Sequence, residues 1–188
     1  MAHERIISDS RGIEGGGLPL ISQSLDSVRA YQFEIHFDLG GLQLGADSDK
    51  LTLAAKQVGQ MGFASEDIEV HRVNDKVFYP GKASPEALTV TFDNQYQTKV
   101  SEALWKWYKT IYDPTTGTMS NGADINVFKA QKATVIHLNA RGTPLYETVL
   151  YGVYPKSWKT AEFNYGTNEF HTIEVEFRYD FMDHGDSK

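Results

Sequence analysis

The sequence predicts a mainly β protein: a barrel or sandwich of two packed antiparallel sheets, with one flanking α-helix, an N-terminal arm and a long loop. Three observations carry this. Apolar and polar residues alternate with period two in several separate runs, the clearest being 31–39, 88–92 and 171–181. A single stretch, 98–112, has apolar residues at helical spacing. Residues 1–27 contain Gly12, the Gly15-Gly16-Gly17 run, several serines and Pro19 with no periodicity, which reads as a flexible arm. Many strands, one helix and no long linker fit one domain built of packed sheets.

Taken in order, Tyr31, Phe33, Ile35, Phe37 and Leu39 share one face of an opening strand, and Gln32, Glu34, His36 and Asp38 share the other. Glycines at 40, 41 and 45 end it, residues 51–58 are expected to form a second strand, and 59–65 a loop holding Met61 and Phe63. Residues 66–73 and 76–79 flank Asn74-Asp75 as a hairpin that Pro80-Gly81 should end. Together 40–81 make an extended loop and hairpin region. Leu88, Val90 and Phe92 alternate with Thr89 and Thr91 in a strand of high β propensity. In the helix, Val100, Leu104, Trp107 and Ile111 form the core stripe, Thr98 or Ser101 is the expected N-cap and Pro114 the stop. Trp105 stands about 200° round the helix from Trp107, which leaves it near Tyr112 on a flank fit for a partner. Residues 130–138 and 145–154 form a hairpin around Arg141-Gly142. The run from His171 to Phe181 is the longest clean alternation and is expected to be a central strand, with 28–182 as the folded domain and 183–188 as a tail.

Composition bounds the function. Hydrophobic residues at 40% and charged residues at 23% are ordinary for a water-soluble domain. No run approaches the roughly 20 apolar residues of a membrane span, and Glu4, Arg5, Asp9, Arg11 and Glu14 sit where a signal peptide needs apolar residues, so no membrane anchor is expected. The absence of cysteine excludes disulfides and thiolate chemistry, in keeping with assembly in a reducing cytoplasm. A formal charge of −7 argues against a protein that grips phosphates.

Catalytic patterns are missing. There is no G-x-S-x-G elbow and no phosphate-cradling G-x-x-x-x-G-K-[ST] loop. His36, His137 and His171 could meet on neighbouring strands, yet none has metal-ligand spacing. Glu174, Glu176 and Asp180 project from one strand face, the pattern of a solvated surface more than of paired catalytic acids. No catalytic residue, metal or cofactor is expected.

The order of segments resembles the tail tube proteins of contractile-tailed bacteriophages. It rests on the opening Tyr31-Gln32-Phe33-Glu34-Ile35, on Leu88-Thr89-Val90-Thr91-Phe92 and on the helix with Leu104, Trp105 and Trp107. More specific is the closing part, Leu150-Tyr151-Gly152-Val153-Tyr154-Pro155, Phe163-Asn164-Tyr165, Asn168-Glu169-Phe170-His171-Thr172-Ile173-Glu174-Val175 and Tyr179-Asp180-Phe181. The resemblance implies a homohexamer whose rings stack into a hollow tube, a structural protein of the virion tail that conducts DNA into the host when the sheath contracts. Its implied partners are other copies of itself, the sheath protein, the baseplate tube-initiator, the tape-measure protein and the tail terminator, with DNA passing unbound through the lumen. Glu34, Asp38, Glu174, Glu176, Arg178 and Asp180 are the candidate lumen lining. Met61, Phe63, Val77, Phe78 and Tyr79, in the long loop region, are candidate contacts between subunits and rings, and Trp105 with Tyr112 a candidate sheath or partner surface. A baseplate tube-initiator or the tube of a phage-derived bacteriocin or contractile injection system is the alternative; a carbohydrate-binding β-sandwich is the reading from another class.

Overall fold

A computed structural model describes residues 28–42, 44–119, 127–166 and 168–186; the arm expected over 1–27 lies outside these. The strands are β1 (Phe33–Phe37), β2 (Ala55–Val58), β3 (Phe63–His71), β4 (Lys76–Pro85), β5 (Leu88–Asp93), β6 (Tyr112–Asp113), β7 (Thr118–Met119), β8 (Ala130–Leu138), β9 (Pro144–Thr160), β10 (Thr172–Arg178) and β11 (Phe181–Asp186). The helices are α1 (Gly45–Ala54) and α2 (Val100–Ile111). The main sheet is antiparallel, in the order β1-β8-β9-β10-β5-β2 with β11 also on β9, and its end strands β1 and β2 touch. It therefore curls into two walls. β1, β8, β11 and the first half of β9 form one; the second half of β9, β10, β5 and β2 form the other.

Period-two alternation explains what lies between the walls. Ile35, Phe37, Val135 and Leu150 from the first wall meet Val90, Phe92, Ile173, Val175 and Phe177 from the second, all 2% exposed or less. Phe37 sits 6.3 Å from Phe92 and 5.3 Å from Phe177, ring centre to ring centre. Trp107 of α2 closes the core against Phe37 at 5.7 Å and Phe177 at 5.4 Å, and its indole N–H donates to the Phe128 carbonyl. A buried indole with its one donor satisfied combines a large apolar contribution with no polar penalty.

The corner between the walls is made at one place. The expected long strand from His171 to Phe181 is interrupted at Tyr179-Asp180, yet the register on β9 is the same before and after: Arg178 faces Tyr154 and Phe181 faces Tyr151. Opposite the interruption, Gly152 has φ 67°. Asp180 occupies the space a Cβ there would need, so only glycine allows the paired strands to bend together. Phe181 consequently leaves the core face and stacks on Tyr151 at 4.7 Å. Residues 183–186, expected in a tail, extend β11 along β9.

Other expectations change in physically instructive ways. The strand expected at 51–58 begins only at Ala55, because 45–54 is a second helix beside α2. Asp47, Leu51 and Ala54 share its buried side, while Leu53 is exposed. Gly45, Asp47, Ser48, Asp49 and Thr52 are weak helix formers, so the helix depends on tertiary contacts such as the Ser48 hydroxyl donating to the Phe37 carbonyl. α2 falls where expected, but neither Thr98 nor Ser101 caps it: the cap is Lys99, in the left-handed region, and Thr98 donates to Gln95 instead. The 74–75 turn holds, with Arg72 N–H donating to the Asp75 carbonyl at 2.8 Å. Its strands run past both predicted ends, through Phe63 and through Pro80-Gly81, by way of a register shift between Ser65 and Asp67.

Candidate functional site

The lining candidates fall on both walls. Glu34 and Asp38 alternate with buried Ile35 and Phe37, which turns them to the outer face of the first wall. Glu34 lies 3.2 Å from His36. Across β8 it is in register with Ile136 and then Glu147, and His36 is in register with Thr134, Val149 and Asp183, so this face gathers four carboxylates around Lys132. Glu174, Glu176 and Arg178 occupy the outer face of the second wall. Glu176 accepts from Lys156 at 2.7 Å, and that bond holds its carboxyl below the usual range. Glu174 is exposed opposite Lys159 and Thr91, and Arg178 donates to the Pro85 carbonyl at 3.4 Å. Asp180 sits at the corner, held by Lys129 at 2.8 Å. The core separates the two outer faces, so the six candidates do not form one patch.

The contact candidates gather at β3–β4, a hairpin that among the described residues pairs only with itself. Its pairs Ile68–Tyr79 and Val70–Val77 stand on one face, and Glu69–Phe78 and His71–Lys76 on the other. One face is thus apolar and, among the described residues, without a partner: Ile68, Val70 and Tyr79 are exposed and Val77 half-buried. Phe78 is exposed among the charged residues. The root is firmly fixed: Tyr179 donates its hydroxyl to the Gly62 carbonyl at 2.9 Å, Phe63 meets the Tyr179 ring edge-on at 6.3 Å, and Met61 packs on the core.

Trp105 lies half-buried, stacked on Tyr108 at 6.0 Å and tilted against Trp158 at 5.6 Å. Tyr112 belongs to β6, beyond the helix end. Trp105 instead lines a groove of about 1060 Å³ with Trp158, Tyr96, Lys99, Glu102 and the 94–97 turn. A Lys106 hydrogen bond keeps Glu102 ionised below its usual range.

Sequence reasoning missed two clusters. Tyr96, Phe163, Tyr165 and Phe170 are almost wholly exposed at one end of the second wall; the signal was three aromatics within eight residues of a strand-free segment. At the open end of the first wall His137 stacks on Tyr146 at 4.3 Å, and His184 meets Tyr146 at 5.1 Å while bonding the buried Thr148. Burial, with a smaller effect of His184, lowers the His137 pKa. His36, His137 and His171 stand on an outer face, an inner face and a loop end respectively, and among the described residues no group of three His, Cys, Asp or Glu is placed to hold a metal.

Comparison with known proteins agrees with this architecture. No protein of curated function matches the sequence. Among solved structures, a chain in the cryo-EM structure of the anti-feeding prophage tube-terminating cap superposes with a TM-score of 0.67 at 14% identity, covering 94% of this chain and 99% of that one. A chain in the sheath–tube complex of PVC, an extracellular contractile injection system, gives 0.63 at 15% identity over 88% and 99%. A chain in the anti-feeding prophage baseplate gives 0.62 at 10% identity over 86% and 97%. The family model described as T4-like virus tail tube protein gp19 matches residues 29–183, nearly the whole described fold. The chain belongs to that tail tube family, and it is a structural tube subunit.

Proposed function

We infer that the chain assembles into hexameric rings that stack into a hollow tube, and that DNA passes through this tube as a surrounding sheath contracts. The observation that carries the reading is the β3–β4 hairpin, which projects an apolar face that none of the described residues covers. A two-stranded ribbon cannot bury both of its faces alone, so this one is built for a neighbour. Open strand edges, β11 among them, are likewise removed when copies close into a ring.

The first wall is the face we assign to the channel. Glu34, Asp38, Glu147 and Asp183 outnumber Lys132 there, whereas Lys156 and Lys159 offset Glu174 and Glu176 on the second wall. An acidic lining repels phosphate and leaves DNA mobile. Trp105 and its groove are assigned to the sheath, and the ends of the tube to a baseplate initiator and a terminator, with the tape-measure protein inside during assembly. These roles need no bond chemistry, so the chain is not an enzyme. It works in the virion tail after assembly in the host cytoplasm.

Electron microscopy of the purified protein tests the reading. Long hollow tubes with six-fold end views are expected. Single rings would indicate a tube initiator, and dispersed monomers at high concentration would exclude a tube.

A further inference from the structure

The curled sheet leaves a cavity where its two ends come together. β1 and β2 are the end strands; they touch, but among the described residues each pairs on one side only, β1 with β8 and β2 with β5. Between them lies a cavity of about 650 Å³, lined by Phe33 and Val135 of the first wall, by Val58 and Met61 opposite, and by Ala30 and Tyr31 at the start of the fold. Val58 and Met61 also pack on the core, and Val135 is 1% exposed, so the cavity continues the hydrophobic interior outward. Two of its polar members are engaged elsewhere: Lys56 lies 3.5 Å from Asp93, and His137 stacks on Tyr146. A space of this size exceeds the gaps that a close-packed interior tolerates.

Chain geometry names an occupant. The described chain begins at Val28, and Ala30 and Tyr31 already line the cavity, so residues 1–27 lead directly to it. Within them, 15–25 carries no charged residue and holds the apolar run Leu18-Pro19-Leu20-Ile21, whereas 1–14 carries Glu4, Arg5, Asp9, Arg11 and Glu14. Only the uncharged part can enter an apolar space without the cost of burying charge. Ile21 precedes Ala30 by nine residues, which span up to about 30 Å when extended, ample for the chain to turn back into the cavity. Pro19 favours an extended backbone at Leu18.

We propose that Leu18-Pro19-Leu20-Ile21 of the chain's own N-terminal segment fills this cavity and joins β1 to β2 from within. The segment shields Val135 and Met61 from water and holds the two ends of the sheet together in the single copy. The inference stands on the cavity and on the composition of 1–27, so it goes beyond the tube reading and is decided independently of it.

Disulfide trapping in the full chain tests it, because the chain has no cysteine of its own. Val58→Cys is combined in turn with Leu18→Cys, Leu20→Cys or Ile21→Cys, and dilute protein is oxidised and run on a denaturing, non-reducing gel. At least one pair is expected to give a faster-migrating single chain. It should form at least about ten times faster than the disulfide of Leu20→Cys with Leu53→Cys, a control pair whose second position is exposed on α1 away from the cavity. No preference over the control overturns the proposal. Linked dimers in place of the fast single chain also overturn it, since the occupant is then a neighbour's segment. A second measurement leaves the described fold untouched: maleimide labelling of Val58→Cys alone. Replacing Leu18, Leu20 and Ile21 together by Ser should speed that labelling about tenfold or more, by the same factor at every protein concentration. An unchanged rate means that the segment does not cover Val58, and overturns the proposal.

Discussion

Gly152 has φ 67° with Asp180 packed where a side chain would begin, whereas Gly142, at φ 77° in the β8–β9 turn, has open space around it. The same substitution should therefore separate backbone strain from collision. Gly142→Ala is expected to cost about 1 kcal/mol, the price of a left-handed non-glycine residue, and Gly152→Ala at least about twice that, measured by urea unfolding. His137 offers a second residue-level test. Its folded pKa lies below its ordinary value, so the fold disfavours the protonated ring. Its contribution to stability is complete above the ordinary histidine pKa of about 6.5 and is lost as pH falls through that value and below. Burial is the larger cause, and the charge that bears on it is His184, across Tyr146, which opposes protonation when charged. The urea midpoint should fall between pH 8 and pH 5, and His137→Phe, which keeps the stacking on Tyr146, should reduce that fall.

At the scale of elements, α1 and α2 contrast in how they are specified. Leu51 is fully buried although α1 has little helix propensity of its own; Leu51→Ala is expected to cost about 2–5 kcal/mol, and Leu53→Lys, on the exposed side, less than about 0.5. Chemical denaturation of the two variants checks this. The contrast also explains what the sequence could reveal. α2 was legible because Val100, Leu104 and Trp107 repeat at helical spacing, and β1, β5, β8 and β10 because one face is wet and the other buried. α1 was not, since what holds it helical is its packing on β1 and on the distant α2, which no spacing within 45–54 reveals. Nor was the corner at Tyr179-Asp180, because the alternation persists through it and only the register on β9 and the backbone of Gly152 reveal the bend. Of the candidate surfaces, hairpin residues Val77, Phe78 and Tyr79 could be read as apolar and loosely covered, but the two-faced division of the ribbon needed the pairing of Ile68 with Tyr79. The lining candidates could be read as outward-facing; that they divide between walls could not, because alternation gives a face and never says which sheet owns it.

For the whole molecule, the division of charge between the outer faces makes the channel assignment testable. Glu34→Lys should make assembled tubes bind short duplex DNA at low salt, with binding lost as salt rises, whereas Glu174→Lys should leave them indifferent. Fluorescence anisotropy with labelled DNA reads both; the opposite order would move the channel to the second wall. Because the pairing on β9 holds one register from Phe177 through the corner and along β11, with its slip set back at Glu176 in the second wall, the two walls join at the bend as lengths of one hydrogen-bonded ladder. A thrust along that ribbon loads its many crosswise bonds at the same moment, in shear, instead of opening them singly from an end. A bend made by slipping register would have left a seam there, and a rod driven through an envelope would fail first at such a seam.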